Sequence, residues 1–419
     1  MQTILKEPLW TKNYNITILA MLFIFIPYSL YLPILPLYIA EDLHGSMQMA
    51  GLSNAVFLLA SVLFRTQTAR LENVFSTKTT IKVSCFMFLI ANSLLLFTTN
   101  LYAILAIRFL GGICFAIINT AIMALGCQFA PNSRKGEGIS YLTTVITAGS
   151  AIGPFIGLYL AHTINYNAVF IFCVLLTFLG FILLPFIDMN SETIAKKSSL
   201  YSFTIQDILE MPVIPICLIT LLTSIAYAGV LSFVAVYANQ LEIINASNYY
   251  FVVLALFSLL IRLVSGKIFD RFGANIVLYP CFVFLAAGLL ILAYANGMFS
   301  MMLSAAFIGI GYGVLVPTIQ TLALHCSSPK RVSIVTATYF TCLDLGLATG
   351  AYLLGALAPI LGYRMMYLIL APFTLCILVL YYVIYGRNAK HVRKTNLYPT
   401  PQPIESDQLN DETQKSCKI

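Results

Sequence analysis

Residues 262–273 read Arg262-Leu-Val-Ser-Gly266-Lys267-Ile-Phe-Asp270-Arg271-Phe-Gly273. A worn copy lies 197 positions earlier: Arg65-Thr-Gln-Thr-Ala69-Arg70-Leu-Glu72-Asn73-Val-Phe75-Ser76-Thr-Lys78. The same shift pairs Ser61 with Ser258, Gly112 with Gly309, Arg134 with Arg331 and Thr144 with Thr341. It also pairs Gly149 with Gly346, Gly153 with Gly350, and Tyr166 with Tyr363. One gapless shift over about a hundred residues means the chain is two copies of one unit in parallel orientation. Parallel repeats about an axis normal to a membrane, with the site between them, are a transporter arrangement.

The surroundings of the repeat place it in lipid. The 419 residues are 60% hydrophobic and 9% charged, with a mean hydropathy of +0.89. Soluble chains carry roughly a quarter of their residues as Asp, Glu, Lys and Arg. The shortfall excludes a soluble enzyme, a disordered protein and a nucleic-acid-binding domain. A helix needs about 20 apolar residues to cross the hydrocarbon core. Twelve stretches qualify: 14–39, 48–66, 80–99, 101–128, 138–161, 166–187, 212–237, 249–266, 276–295, 298–325, 332–357 and 363–386. Short segments of alternating polarity, the mark of a barrel, are absent. The expected fold is an all-α membrane protein of twelve transmembrane helices in two six-helix pseudo-repeats. Residues 1–187 form the first bundle and 188–211 a cytoplasmic linker. The second bundle is 212–386, and 387–419 is a disordered cytoplasmic tail. The first span is broken by Pro27, Pro33 and Pro36 and lacks a small-x-small cleavage site, so it is read as a retained helix rather than a signal peptide.

Lys and Arg set the orientation. With the N-terminus inside, 21 of the 23 basic residues fall in cytoplasmic segments, and Arg108 and Arg364 are the exceptions. The opposite loops hold Glu41, Asp42 and Glu242. This asymmetry fits the positive-inside rule, with both termini cytoplasmic. The net charge of +7 is therefore topology rather than a nucleic-acid footprint.

Several residues carry candidate chemistry. In the 262–273 loop, Gly266 would let two helices approach, while Lys267, Asp270 and Arg271 would form a charge latch in the tight turn that ends at Gly273. The first copy has lost the Gly, the Asp and the second Gly to Ala69, Asn73 and Ser76, with Glu72 a candidate substitute acid beside Arg65 and Arg70. The plainer reading is that these charges mark the membrane boundary. Arg108 lies seven residues into its span, where a charge is costly and by default functional. It would hold a substrate carboxylate or bias a nearby acid, or else it snorkels and binds carbonyls. Asp344 is the acid deepest in a span, about twelve residues in. It is a candidate proton site or ligand for a cationic group, or a structural Asp joining the halves. Arg134 and Glu137 open the fifth span, where Glu137 serves the helix dipole or bridges to a basic loop. Spans 1, 4, 7 and 10 would line a central cavity with Tyr28, Tyr31, Asn119, Tyr227, Gln320, Thr321 and His325. The ten cysteines are scattered without a Cys-x-x-Cys pair, so no metal or redox site is read. No G-x-x-x-x-G-K-[ST] or His-Glu-x-x-His occurs, so neither an ATP motor nor a membrane protease is indicated.

The two halves, the Arg-x-x-x-Gly-Lys-x-x-Asp-Arg-Phe-Gly loop, Arg-Phe-Leu-x-Gly at Arg108, and Arg-x-Gly-Glu-Gly followed by Gly-Pro-x-x-Gly resemble the major facilitator superfamily over residues 14–386. Within it, Arg134 to Glu137 and the Asp344-Leu-Gly segment with Gly350 resemble bacterial exporters of the staphylopine and staphyloferrin type. The resemblance implies a secondary transporter of the bacterial cytoplasmic membrane, not an enzyme. It implies proton antiport driven by the proton gradient, no cofactor, and a monomer in the bilayer. The expected cargo is a small polar metabolite such as an anionic carboxylate siderophore, held by Arg108 while Asp344 exchanges protons. Multidrug efflux is the alternative.

Overall fold

A computed structural model describes residues 8–131, 135–188, 210–326 and 332–387. The helices are α1 (Lys12–Glu41), α2 (Met47–Arg65), α3 (Thr68–Phe75), α4 (Thr77–Leu94), α5 (Leu101–Phe129), α6 (Lys135–Thr163) and α7 (Tyr166–Leu183) in the first half. The second half holds α8 (Ile214–Gln240), α9 (Ile244–Phe272), α10 (Ala274–Ala293), α11 (Met298–His325) and α12 (Val332–Tyr381). Helices are the form these runs take because, in lipid, backbone N–H and C=O groups must be satisfied within the segment. Their starts are written in short polar residues. Thr11, Ser46, Asn100 and Asn165 each cap a helix by accepting a bond from a first-turn N–H.

Among the described residues, ten segments are long and apolar enough to cross a membrane. One of them, Ile334–Gly386, is 53 residues long and contains Gly362 at φ +75°. That left-handed residue divides α12 into two spans. With α4, whose first turns carry Lys78 and Lys82, the expected twelve are accounted for. The expected linker and tail fall almost entirely outside the described residues.

The packing repeats as the sequence does. α1 packs on α6 as α8 packs on the first part of α12; α2 packs on α5 as α9 packs on α11. At two of these crossings a glycine is needed. A Cβ on Gly112 would lie 2.2 Å from the Phe57 carbonyl oxygen, and one on Gly309 would lie 2.3 Å from that of Leu254. All four residues obey the 197 shift. The aromatic core is duplicated too. Tyr38 packs on Tyr166 and Phe170, and Tyr237 packs on Tyr363 and Tyr367. Here α1 matches α8 at a shift of 199, because the α8–α9 connection is two residues shorter.

Among the described residues the halves meet chiefly through three helix pairs: α1 with α8, α2 with α12, and α6 with α9. The last two are equivalent under the repeat. At the α2–α12 seam, Gly51 lies against Gly355, and a Cβ on Gly51 would sit 2.1 Å from the Ala351 carbonyl oxygen. The expected close approach at Gly266 is not made, since a Cβ there would meet nothing within 4 Å. Gly266 is exposed on the surface of α9, whose tight contacts with α11 are supplied by Gly309 and Gly313 instead.

Candidate functional site

The last turn of α2 carries Arg65 across the seam to α12. Its Nη2 meets Asp344 Oδ2 at 2.5 Å, and the two side chains are 11% and 7% exposed. Ser61, one turn back on α2, donates to the same carboxylate oxygen at 3.4 Å and accepts from Arg65 at 3.2 Å. The Phe340 ring, one turn before Asp344, lies 5.7 Å from the guanidinium carbon. A buried pair of this kind adds little stability relative to an apolar contact, but removing one partner leaves a costly lone charge. It is therefore a poor rivet and a good switch. On the equivalent seam, Arg262 of α9 donates to Thr147 of α6 (2.6 Å) and to the Gly313 carbonyl (2.9 Å).

Beside the ion pair lies a patch of stacked rings. Tyr28 of α1 stacks on Phe115 of α5, 4.2 Å apart and 15° from parallel, and Phe57 closes a three-ring cluster with them, 5.5 Å from Tyr28 and 5.7 Å from Phe115. Tyr227 of α8 stacks on Tyr312 of α11 at 3.6 Å and 9°. These pairs are repeat copies, Phe115 with Tyr312 at 197 and Tyr28 with Tyr227 at 199. Tyr28 is within electrostatic reach of Asp344, Arg65, Arg108 and Tyr312, and Tyr227 is within reach of Tyr28. Each half thus contributes one aromatic pair, and Tyr28 of the first pair lies in the electrostatic neighbourhood of the ion pair and of the second pair. Tyr28, Asn119, Tyr227, Tyr312, Gln320 and Thr321 are half-buried, as suits a cavity wall. Such a surface offers flat, polarisable contact to an aromatic ligand with few directional demands.

The family model described as Major Facilitator Superfamily matches residues 17–300 and 244–406. The chain belongs to the major facilitator superfamily. It is a multi-pass membrane transporter with the all-helical fold of that family. "Multidrug resistance protein MdtG" of Enterobacter lignolyticus is 25% identical over 413 residues, covering 95% of this chain and 96% of the relative. "Multi-drug resistance efflux pump PmrA homolog" of Lactococcus lactis is 26% identical over 368 residues, covering 85% and 90%. "Uncharacterized MFS-type transporter MJ1560" of Methanocaldococcus jannaschii is 25% identical, covering 84% and 92%. Among solved structures, a bacterial homolog of the human lysosomal transporter Spinster, inward-facing and unoccupied, aligns with a TM-score of 0.75 over 92% of this chain and 99% of that one, at 12% identity. The nucleoside transporter NupG (D323A mutant) aligns at 0.73 over 89% and 100%, also at 12% identity.

In this transporter Arg108 does not meet Asp344. It is buried inside the first half, 4.0 Å over the Phe57 ring and 5.5 Å from that of Tyr31, with Nε donating to the Ser53 carbonyl at 3.4 Å. Its Nη2 has no hydrogen-bond partner among the described residues, and the Tyr31 hydroxyl lies beside the Cys173 thiol. Tyr31 thus turns into the first bundle with Arg108 rather than lining the seam. The cation beside Asp344 is Arg65, which the sequence places at a membrane boundary because it ends an apolar run.

The loop residues divide. Arg70 donates to Gln67 at 3.1 Å. Burial pushes the Glu72 carboxyl above the usual carboxylate range, against a hydrogen bond from Thr77. Ser76 holds φ +70° where its copy, Gly273, holds +88°. The turn keeps its left-handed shape in both halves although only one retains glycine. Arg271 is exposed. Arg134 and the side chains of Glu137, Lys267, Asp270 and His325 lie outside the described residues.

Sequence reasoning missed the closure at the other end of the bundle, where the loops are acidic. Glu41 at the end of α1 accepts from Tyr166 at 2.6 Å and from Asn239 of α8 at 2.5 Å. His162 of α6 meets Asn248 of α9 at 2.9 Å, and Gln48 of α2 meets Tyr352 of α12 at 3.2 Å. Each of these three helix pairs is therefore tied there by a polar contact. The signal was the acid pair Glu41-Asp42 at the end of the first apolar run, set against the Asn239-Gln240 that closes α8.

Proposed function

We propose that this transporter is a proton-coupled exporter of aromatic, drug-like molecules, working in a bacterial cytoplasmic membrane with both termini in the cytoplasm. A ring stack in each half, within electrostatic reach of the other and of one buried ion pair, carries this reading. The names of the MdtG and PmrA-type relatives support efflux. Siderophore export has less behind it, because Arg108, the cation expected to hold a substrate carboxylate, is packed under Phe57 and Tyr31.

In the closed seam, charged Asp344 holds Arg65 and with it the basic end of α2 against α12. A proton on Asp344 removes the charge and leaves Arg65 a far weaker partner. The guanidinium then gains more from the water of an opening cavity than from the seam. The halves separate at one end as the polar ties of the acidic end make or break at the other. Cargo bound between the ring pairs is exposed to alternate sides, and loss of the proton resets the pair. No contact to a particular cargo atom is needed, which suits several flat substrates.

Expression in cells stripped of their own drug pumps tests the reading. Wild-type protein should lower ethidium accumulation, and Tyr227→Ala should raise it towards the empty-vector level. Unchanged ethidium in every case, with less carboxylate siderophore inside iron-starved cells, would instead favour siderophore export.

A further inference from the structure

The repeat says what became of the ion pair's twin. Under the 197 shift Arg65 maps forward onto Arg262, and Asp344 maps back onto Thr147. These two counterparts touch, Arg262 Nη1 to Thr147 Oγ1, at 2.6 Å. So the same arginine of the repeat crosses to the neighbouring half twice, from α2 to α12 and from α9 to α6. The serine one turn before each arginine is also shared, as Ser61 and Ser258. The chemical difference is the acceptor, a carboxylate on one seam and a hydroxyl on the other. A hydroxyl of this type does not lose its proton in the biological range, so the second contact cannot be switched by pH.

We propose that Thr147 and Arg262 are the silent copy of the proton latch. They form a tie with no titratable acceptor, which parts and closes with the halves but is not itself switched by pH, so that a proton acts on one seam only, and acts there because that seam carries the acid. The inference rests on the reading of Asp344 as the proton site. The groups facing each arginine leave little else to titrate. Around Asp344 stand Arg65 and Ser61 from α2, Tyr28 from α1 and Tyr312 from α11. Around Arg262 stand Thr147 from α6, the Gly313 carbonyl from α11 and Tyr339 from α12. Among these described groups neither set holds a second carboxylate. Thr147 is therefore a positioning residue whose neutrality sets how many protons the cycle reads.

Moving the acid tests this. Ethidium efflux from proteoliposomes under an imposed pH gradient is measured for Asp344→Thr, for Asp344→Thr with Thr147→Asp, and for Thr147→Asp and Thr147→Ser alone. Asp344→Thr should lose gradient-driven efflux by about tenfold or more, the size of a change of about 1.4 kcal/mol in the switch. The double swap should return to within about threefold of wild type, with Arg262 now holding the acid. Thr147→Asp alone carries two acids and should steepen the pH profile from one proton towards two. Thr147→Ser should match wild type in rate and profile. A double swap that elutes as folded protein, binds ethidium and is as inactive as Asp344→Thr would overturn the inference. If the swap does not fold, an unchanged pH profile in Thr147→Asp would overturn it equally. Full gradient-driven efflux by Asp344→Thr would instead overturn the proton role of Asp344 on which the inference stands.

Discussion

Replacing Asp344 with Leu leaves the Arg65 guanidinium in a seam where its side chain is 11% exposed and its Nε already lacks a hydrogen-bond partner among the described residues. Breaking one side of a buried pair in this way costs about 3–5 kcal/mol. Arg65→Leu strands the carboxylate instead, with only the long Ser61 contact of 3.4 Å to hold it, and should cost a similar amount. The double replacement strands neither charge. It turns this part of the α2–α12 seam into an apolar contact of similar volume, and such exchanges are often neutral or stabilising. The double variant should therefore lie within about 2 kcal/mol of wild type, while the two single losses add to roughly 6–10 kcal/mol. The interaction term is the difference, several kcal/mol in the direction of mutual rescue. The assay is unfolding of the purified protein in mixed micelles by titration with a denaturing detergent, followed by loss of helix signal, for all four corners of the cycle. Strict additivity, with the double variant as weak as the sum of the singles, would refute the argument, because it would mean that the two groups do not share a seam.

Ser76→Gly should stabilise the fold by about 1 kcal/mol, since Ser76 sits at φ +70° and ψ 149°, a region open almost only to glycine. Loss of its weak cap on Thr79 returns a few tenths, and the midpoint of thermal unfolding reads the net gain. Gly51→Val should drive a side chain into the Ala351 carbonyl, part α2 from α12 and destabilise by about 1–3 kcal/mol, seen as a lower unfolding midpoint and reduced efflux. Glu41→Ala should untie α1 from α8 at the acidic-loop end, so amide hydrogen exchange over residues 238–243 should quicken while exchange around Asp344 stays as in wild type.

The twelve spans and their parallel repeat were legible because lipid imposes long apolar runs and because glycines, arginines and turn residues survived at one shift. Asp344 was legible as an acid deep in a span. Its partner was not. Arg65 ends its apolar run, so hydropathy alone marks it as a boundary charge. Only the crossing of α2 over α12 shows that the last turn of α2 lies against the middle of another span. Arg108 misled for the converse reason. A mid-span arginine asks for an acid, but the folded chain answers with the faces of Phe57 and Tyr31, and ring faces leave no charge pattern in a sequence. The Thr147 contact lay within reach of the sequence, since the shift that links Arg65 to Arg262 also carries Asp344 to Thr147. The stacked pairs were harder, because α1 and α8 follow a shift of 199 and the tyrosines fall out of register with the rest.

The central claim is that a proton on Asp344 drives outward movement of an aromatic solute. Purified protein in liposomes, given an inward-directed pH gradient, should move ethidium against its concentration while consuming the gradient, and Asp344→Asn should still bind ethidium but move it only downhill. Uphill ethidium transport that persists at the wild-type rate in Asp344→Asn would contradict the account.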